Sequence, residues 1–365
     1  MSVSNRCKLF LVVVVAVFLA GAPMASAGAG LSASLEAQKT YIGVADDAVV
    51  RVTLQNTSSQ DLYVLRWQTA VRGVDGDIFD VRLNGKAVAY TGRIYKRGTP
   101  QAADYIRIPA GKSVVSTAEL SAVYDMSRTG EYTVKYRVPV QDALSGVGVK
   151  IASSPLSRIE SNTVFLGVER NERDNRAIAE ALAAADDMGQ ITGRALTPGF
   201  VSCSSSRQSS LITALSNAQT LANNSKNYLA AVPSTSRSTD VPYKTWFGAY
   251  TSSRWSEIQT DFNNIYSAFS TKTFTFYCDC TDSSYAYVYA NQPYKVHLCG
   301  AFWSAPSLGT DSKAGTLVHE TSHFSVVAGT QDYAYGQTAC RNLAISNPTN
   351  AVNNADSHEY FAEAR

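Results

Sequence analysis

The sequence predicts two domains of different class, an all-β, sandwich-like domain followed by an α+β domain. Three observations predict this. Residues 28–155 carry short runs of β-branched and aromatic residues between turn signals, residues 197–365 carry helical apolar stripes among short strand-like runs, and every cysteine beyond residue 27 lies in the second stretch. Residues 156–196, of different texture, stand between them.

Residues 1–27 open with Arg6 and Lys8, run through LFLVVVVAVFLAGA and finish at Ala25-Ser26-Ala27. A basic start, an apolar centre and a small-residue end predict a secretory signal, and the apolar run is shorter than a membrane span requires. The expected protein is therefore secreted and extracellular, with no membrane association once the signal is gone. In the β domain, residues 49–54, 61–67, 81–83 and 132–138 are predicted strands, among about seven in an antiparallel arrangement. Val74-Asp75-Gly76, Asn84-Gly85 and Pro109-Ala110-Gly111 are the turn signals. This stretch has no His and no Cys, and no catalytic constellation is expected in it. A charged run at 171–176 then leads into an alanine-rich helix at 177–185, a linker open to proteolytic processing.

In the second domain, helices are predicted over 209–231, where Leu211, Ala214, Leu215, Ala218, Leu221 and Ala222 share a face, and over 252–270, where Trp255, Ile258, Phe262, Ile265, Tyr266 and Phe269 do. Strand-like runs at 273–278, 285–289 and 294–298 are expected to form a sheet at a cleft, whose edge an extended peptide could join. A helix over 337–345 should stop at Asn347-Pro348.

Residues 314–336, AGTLVHETSHFSVVAGTQDYAYG, carry the chemistry. On a helix capped by Asp311 or Ser312, packed by Leu317, Val318, Val326 and Val327 and ended by Gly329, His319 and His323 project from one face. Two of only four histidines in the chain thus bracket Glu320 in the pattern H-E-x-x-H. Two imidazole nitrogens suit zinc, which needs a third protein ligand and an open position, and Glu320 is placed to act as general base on a water there. No His lies between His323 and His358, which excludes a third histidine soon after the motif. Asp332 is the nearer candidate, and Glu359 or Glu363 would serve in a thermolysin-like arrangement.

The run Gly329-Thr330-Gln331-Asp332-Tyr333-Ala334-Tyr335-Gly336 resembles the G-T-x-D-x-x-Y-G signature of the aspzincins, the deuterolysin family of metalloendopeptidases. The resemblance implies a zincin-type metallopeptidase domain with one zinc ion held by His319, His323 and Asp332. It makes Glu320 the catalytic base and Tyr335 the hydroxyl donor to the oxyanion. The runs SCSSS at 202–206, YKTWFG at 243–248, LCGAFW at 298–303 and NADSHEYF at 354–361 are similar to the peptidyl-Lys metalloendopeptidases within that family. That likeness implies that Asp356 binds the ammonium of a lysine on the carboxyl side of the cut bond, and that Cys203 pairs with Cys278 and Cys280 with Cys299. Cys340 is left over, expected as a buried thiol, and His297 and His358 are expected to be structural.

The β domain is then most simply a propeptide, an inhibitor or folding helper of its own enzyme. Without a cysteine between residues 28 and 196 it cannot quench zinc by a thiolate, and it must cover the cleft or lend a carboxylate or carbonyl. A net charge of +2 with no basic cluster gives no footprint for nucleic acid. The expected partners are protein and peptide substrates. The competing reading is a secreted binding or adhesive protein with a degenerate protease domain.

Overall fold

The computed structural model describes residues 30–139, 158–170 and 197–365. The predicted signal, the charged run at 171–176 and the alanine-rich helix at 177–185 lie outside the described residues. The N-terminal part contains β1 (Leu31–Ala37), β2 (Tyr41–Ile42), β3 (Val49–Asn56), β4 (Leu62–Leu65), β5 (Phe79–Leu83), β6 (Lys86–Ala87), β7 (Ile94–Lys96), β8 (Tyr105–Ile108), β9 (Ser113–Glu119), β10 (Gly130–Pro139), β11 (Arg158–Glu160) and β12 (Val164–Val168). Two sheets, ordered β1-β3-β9 and β2-β12-β10-β5-β6 with β11 also on β10, enclose one apolar core. Strand alternation builds it. Val50, Val52 and Leu54 of β3 point inward and meet Tyr132, Val134 and Tyr136 of β10, while Arg51 and Gln55 face out. Asn84 and Gly85, both with positive φ, turn β5 into β6 as the Asn-Gly signal predicts.

Two expectations about this part are corrected. Strands β11 and β12 continue the sheet, so the β part runs beyond residue 155 into the segment read as linker. The strand expected at 61–67 ends at Leu65, and Arg66–Gln68 form a 3₁₀ turn. That turn puts Trp67 under the guanidinium of Arg97 and edge-on to Tyr335.

The C-terminal part contains β13 (Gly199–Val201), α1 (Ser205–Ala231), α2 (Val241–Phe247), α3 (Ser252–Thr271), β14 (Thr275–Tyr277), β15 (Ala286–Val288), β16 (Lys295–Leu298), α4 (Gly300–Ser304), α5 (Lys313–His323), α6 (Gln337–Ser346), α7 (Pro348–Ala351) and α8 (Ala355–Glu363). The predicted apolar stripes of α1 and α3 are its core, Leu211 and Ala218 packing with Trp255, Ile258 and Phe262. The disulfides Cys203–Cys278 and Cys280–Cys299 are both present, and Cys340 is a buried free thiol. The sheet is ordered β13-β14-β16-β15-β7, so its last strand comes from the N-terminal part. Strand β7 runs antiparallel to β15, with Lys96 opposite Ala286, Tyr95 opposite Tyr287 and Ile94 opposite Val288.

Gly248 ends α2 with φ +80°, and a Cβ there would stand 2.0 Å from the Ala344 carbonyl oxygen of α6. Both the backbone conformation and the close approach require glycine. Gly248→Ala should therefore lower stability by about 3 kcal/mol or more, read as a fall in the denaturation midpoint.

Candidate active site

Helix α5 is capped by Ser312, whose hydroxyl accepts from the Gly315 N–H, and every residue from Ala314 to His323 is buried. Gly315 permits close packing on α8, since a Cβ there would meet the carboxylates of Glu363 and Glu359. The helix ends earlier than predicted. Phe324 leaves helical geometry and enters the core, Val326 is exposed, and Gly329, with φ +63°, turns the chain back toward the histidines. The returning segment is pinned on both sides. The Thr330 carbonyl accepts from His323 Nδ1 at 2.9 Å, and Asn354 Oδ1 accepts from the N–H groups of Tyr333 and Ala334.

This return brings Asp332 to the two imidazoles. Asp332 Oδ1 lies 3.3 Å from His319 Nε2 and 3.5 Å from His323 Nε2, and the two Nε2 atoms are 3.1 Å apart. Donors on a tetrahedral shell of zinc at 2.0–2.1 Å stand about 3.3 Å from one another. The donor set therefore fits zinc in kind and in spacing. Each histidine is also held from behind: His323 by the Thr330 carbonyl, His319 by Asp356 Oδ1 at 2.8 Å and Glu359 Oε2 at 3.4 Å from its Nδ1. The third ligand read alternatively as Glu359 or Glu363 does not fit. Glu359 lies on the Nδ1 side of His319, and the Glu363 carboxylate accepts from the Ser312 hydroxyl and the N–H groups of Asp311 and Ser312.

The electrostatics favour a cation. Burial pushes the His323 imidazole down to about 4, keeping it neutral as a ligand must be. Burial acts on His319 in the same sense, but the carboxylates of Asp332, Asp356 and Glu359 outweigh it and raise His319 well above the ordinary value. The two imidazoles thus move in opposite directions because the carboxylates crowd one of them. Glu320 is wholly buried, and burial raises its carboxyl to about 8. The Lys96 main-chain N–H lowers it as a nearby dipole, although neither Glu320 oxygen completes a hydrogen bond.

Lys96 is the residue that sequence reasoning missed. Its side chain is fully buried, with Nζ 2.6 Å from Glu359 Oε2, 3.5 Å from Asp311 Oδ1 and 3.6 Å from Asp356 Oδ1. Burial alone would pull the ammonium down, and the carboxylates of Asp356, Glu359 and Asp311 instead raise it well above the usual lysine value. The rings of Tyr285 and Tyr360 complete the pocket, Tyr360 donating its hydroxyl to Asp311. Asp356, whose expected partner is the lysine of a substrate, lies 3.6 Å from the chain's own Lys96 and is anchored by the Gly336 N–H, and Glu359 is closer still. The β part, in which no catalytic constellation is expected, therefore supplies the side chain that fills the pocket. One residue earlier, the Tyr95 carbonyl accepts a hydrogen bond of 3.1 Å from the Tyr335 hydroxyl. His297 is stacked between Tyr277 and Tyr287, and His358 engages Asp261 and the Asn354 carbonyl, away from the histidine pair.

A family profile described as lysine-specific metallo-endopeptidase, of the aspzincins, matches residues 232–363. An extracellular protease from Aeromonas hydrophila is 42% identical over 353 residues, covering 96% of each chain. The peptidyl-Lys metalloendopeptidase of Armillaria mellea is 34% identical over 374 residues, covering 99% of this chain and 98% of its own. A solved zinc peptidase from Grifola frondosa is 50% identical, covering 44% of this chain and 96% of that one with a TM-score of 0.42. No helix among the described residues is long and apolar enough to cross a membrane. The likeness spans nearly the whole chain, and with it the chain belongs to the aspzincin family of zinc metalloendopeptidases.

Proposed function

We propose that this protein is a secreted endopeptidase, latent as made, that cuts peptide bonds on the amino side of lysine and uses one zinc ion held by His319, His323 and Asp332. The observation that carries the reading is the placement of Lys96, a buried ammonium among three carboxylates, one residue after a carbonyl bound by Tyr335. A pocket of that charge favours a cationic side chain, because an apolar one would leave buried carboxylates unpaired. The names of the Armillaria and Aeromonas relatives, peptidyl-Lys metalloendopeptidase and extracellular protease, accord with lysine preference and export.

Zinc, when bound, supplies the Lewis acidity that makes water nucleophilic near neutral pH. The rest falls to side chains of this chain. Glu320, one residue beyond His319 on the same helix, takes the proton of the attacking water and returns it to the leaving amine. Tyr335 donates to the carbonyl oxygen, a hydrogen bond that strengthens as negative charge develops there. Glu359, Asp356 and Asp311 fix the lysine, and β15 holds the main chain on either side of the bond. The N-terminal part maintains latency by lying in the cleft as β7.

Three outcomes are expected of enzyme freed from its N-terminal part. Glu320→Gln should keep its zinc by elemental analysis while turnover falls on the order of 10²–10⁴-fold; near-normal turnover would remove Glu320 from the mechanism. Asp332→Ala should lose the zinc itself, and a variant that keeps it needs a different third ligand. Glu359→Gln and Asp356→Ala should retain zinc and lose about 1.5–3 kcal/mol of preference for lysine, or roughly ten- to hundredfold in kcat/KM for lysine peptides relative to alanine peptides. An unchanged ratio would contradict the pocket.

A further inference from the structure

The segment in the cleft does more than cover it. We propose that the Tyr95–Lys96 peptide bond is a substrate of the enzyme's own site, so that the latent chain carries its first scissile bond in place. The proposal rests on the lysine-directed reading above and adds to it a specific bond in this chain.

The lysine, the carbonyl before it and the main chain after it are each held by a different contact. The Lys96 side chain occupies the carboxylate pocket with no exposed surface. The Tyr95 carbonyl oxygen is held by the Tyr335 hydroxyl at 3.1 Å. The Lys96 carbonyl accepts from the Tyr285 N–H at 3.0 Å, which fastens the chain just after the bond. On the other side Arg93 donates to the Tyr289 hydroxyl and lies over the Tyr287 ring. Beyond Lys96, Gly98 passes the Tyr285 ring, and Thr99 lies where a Cβ on Gly336 would be. A cavity of about 110 Å³ is lined in part by Tyr95, Asp332, Tyr335 and Trp67. That is ample for water, which needs about 10–15 Å³. An inhibitor that merely covered a cleft would need only bulk there. This one presents a lysine and a carbonyl, each against the group that would act on it.

The step balances as hydrolysis. Water adds its oxygen to the Tyr95 carbonyl carbon, the bond to the Lys96 nitrogen breaks, and the proton taken by Glu320 passes to that nitrogen. The products are a Tyr95 carboxylate and a Lys96 amine. The cut does not by itself release the domain. Strands β3, β4 and β5 precede the bond and pair with β9, β8 and β10, which follow it, so the two pieces remain joined through three sheets of hydrogen bonds. Self-cleavage therefore yields a nicked, still-folded domain, and release requires loss of the connection to the C-terminal part.

The test uses the full chain loaded with zinc, as wild type, Glu320→Gln and Lys96→Ala, with an added unstructured peptide containing one lysine as a separate substrate. Mass spectrometry after denaturation should find wild type broken between Tyr95 and Lys96 at a rate unchanged by hundredfold dilution, the pieces co-eluting under native conditions. Glu320→Gln should stay joined, and Lys96→Ala should stay joined at that bond while cutting the added peptide. A second readout needs no turnover: labelled lysine peptide should bind Glu320→Gln at least tenfold more tightly once Lys96→Ala is added. Wild type that leaves Tyr95–Lys96 intact but cuts the added peptide before lysine, whether as made or after proteolytic removal of the N-terminal part, overturns this proposal alone. Wild type that cuts neither, even after proteolytic removal of the N-terminal part, overturns the lysine-directed reading and this proposal together.

Discussion

One ammonium inside a ring of carboxylates fixes how the two parts of this chain meet. Taking a lysine fully out of water is costly, and only closely placed negative partners offset it. Lys96 has three, at 2.6, 3.5 and 3.6 Å. Such an arrangement contributes little net stability against an apolar alternative, but it is severe about position, because a buried ion left without its partner costs about 3–5 kcal/mol. A slip of β7 by one residue on β15 would put Tyr95 or Arg97 opposite Ala286 in place of Lys96. The pocket thereby sets the register of the strand, and the register sets which carbonyl reaches Tyr335.

His319 joins that pocket to the proposed zinc site. Its Nε2 faces His323 and Asp332, while its Nδ1 faces Asp356 and Glu359. The carboxylates that hold Lys96 therefore also lie against a proposed zinc ligand. A buried lysine beside Asp356 and Glu359 changes the charge felt by that imidazole, so pocket occupancy and the basicity of the ligand are physically coupled. Close packing makes the arrangement possible: Gly315 lets α5 approach α8, and Asn354 at the start of α8 holds the turn that carries Asp332.

Much of this was legible in the sequence because it is local. The spacing of His319, Glu320 and His323 is a helical fact, and Gly329 and Gly336 mark the return that brings Asp332 back, although the helix stops at His323 and not at Gly329. The stripes of α1 and α3 were equally plain, their apolar positions recurring at the helical period. The strand at 61–67 ended early because Trp67 is needed against Tyr335 and Arg97, a demand arising from residues far along the chain. Lys96 was invisible for the same reason. In sequence it is one cation in an unremarkable β run, and only folding sets it beside Asp311, 215 residues away. Glu359 and Asp311 were noticed for other roles, a possible metal ligand and a helix cap, because nothing local points a carboxylate at a lysine from the other part of the chain.

The most direct test of the account is a crystal structure of the intact Glu320→Gln chain with anomalous data collected on both sides of the zinc absorption edge. The account predicts one anomalous peak bounded by His319 Nε2, His323 Nε2 and Asp332, with Lys96 in the carboxylate pocket and the Tyr95 carbonyl facing Tyr335. A peak elsewhere, or a Lys96 side chain in solvent with the pocket closed, would contradict it.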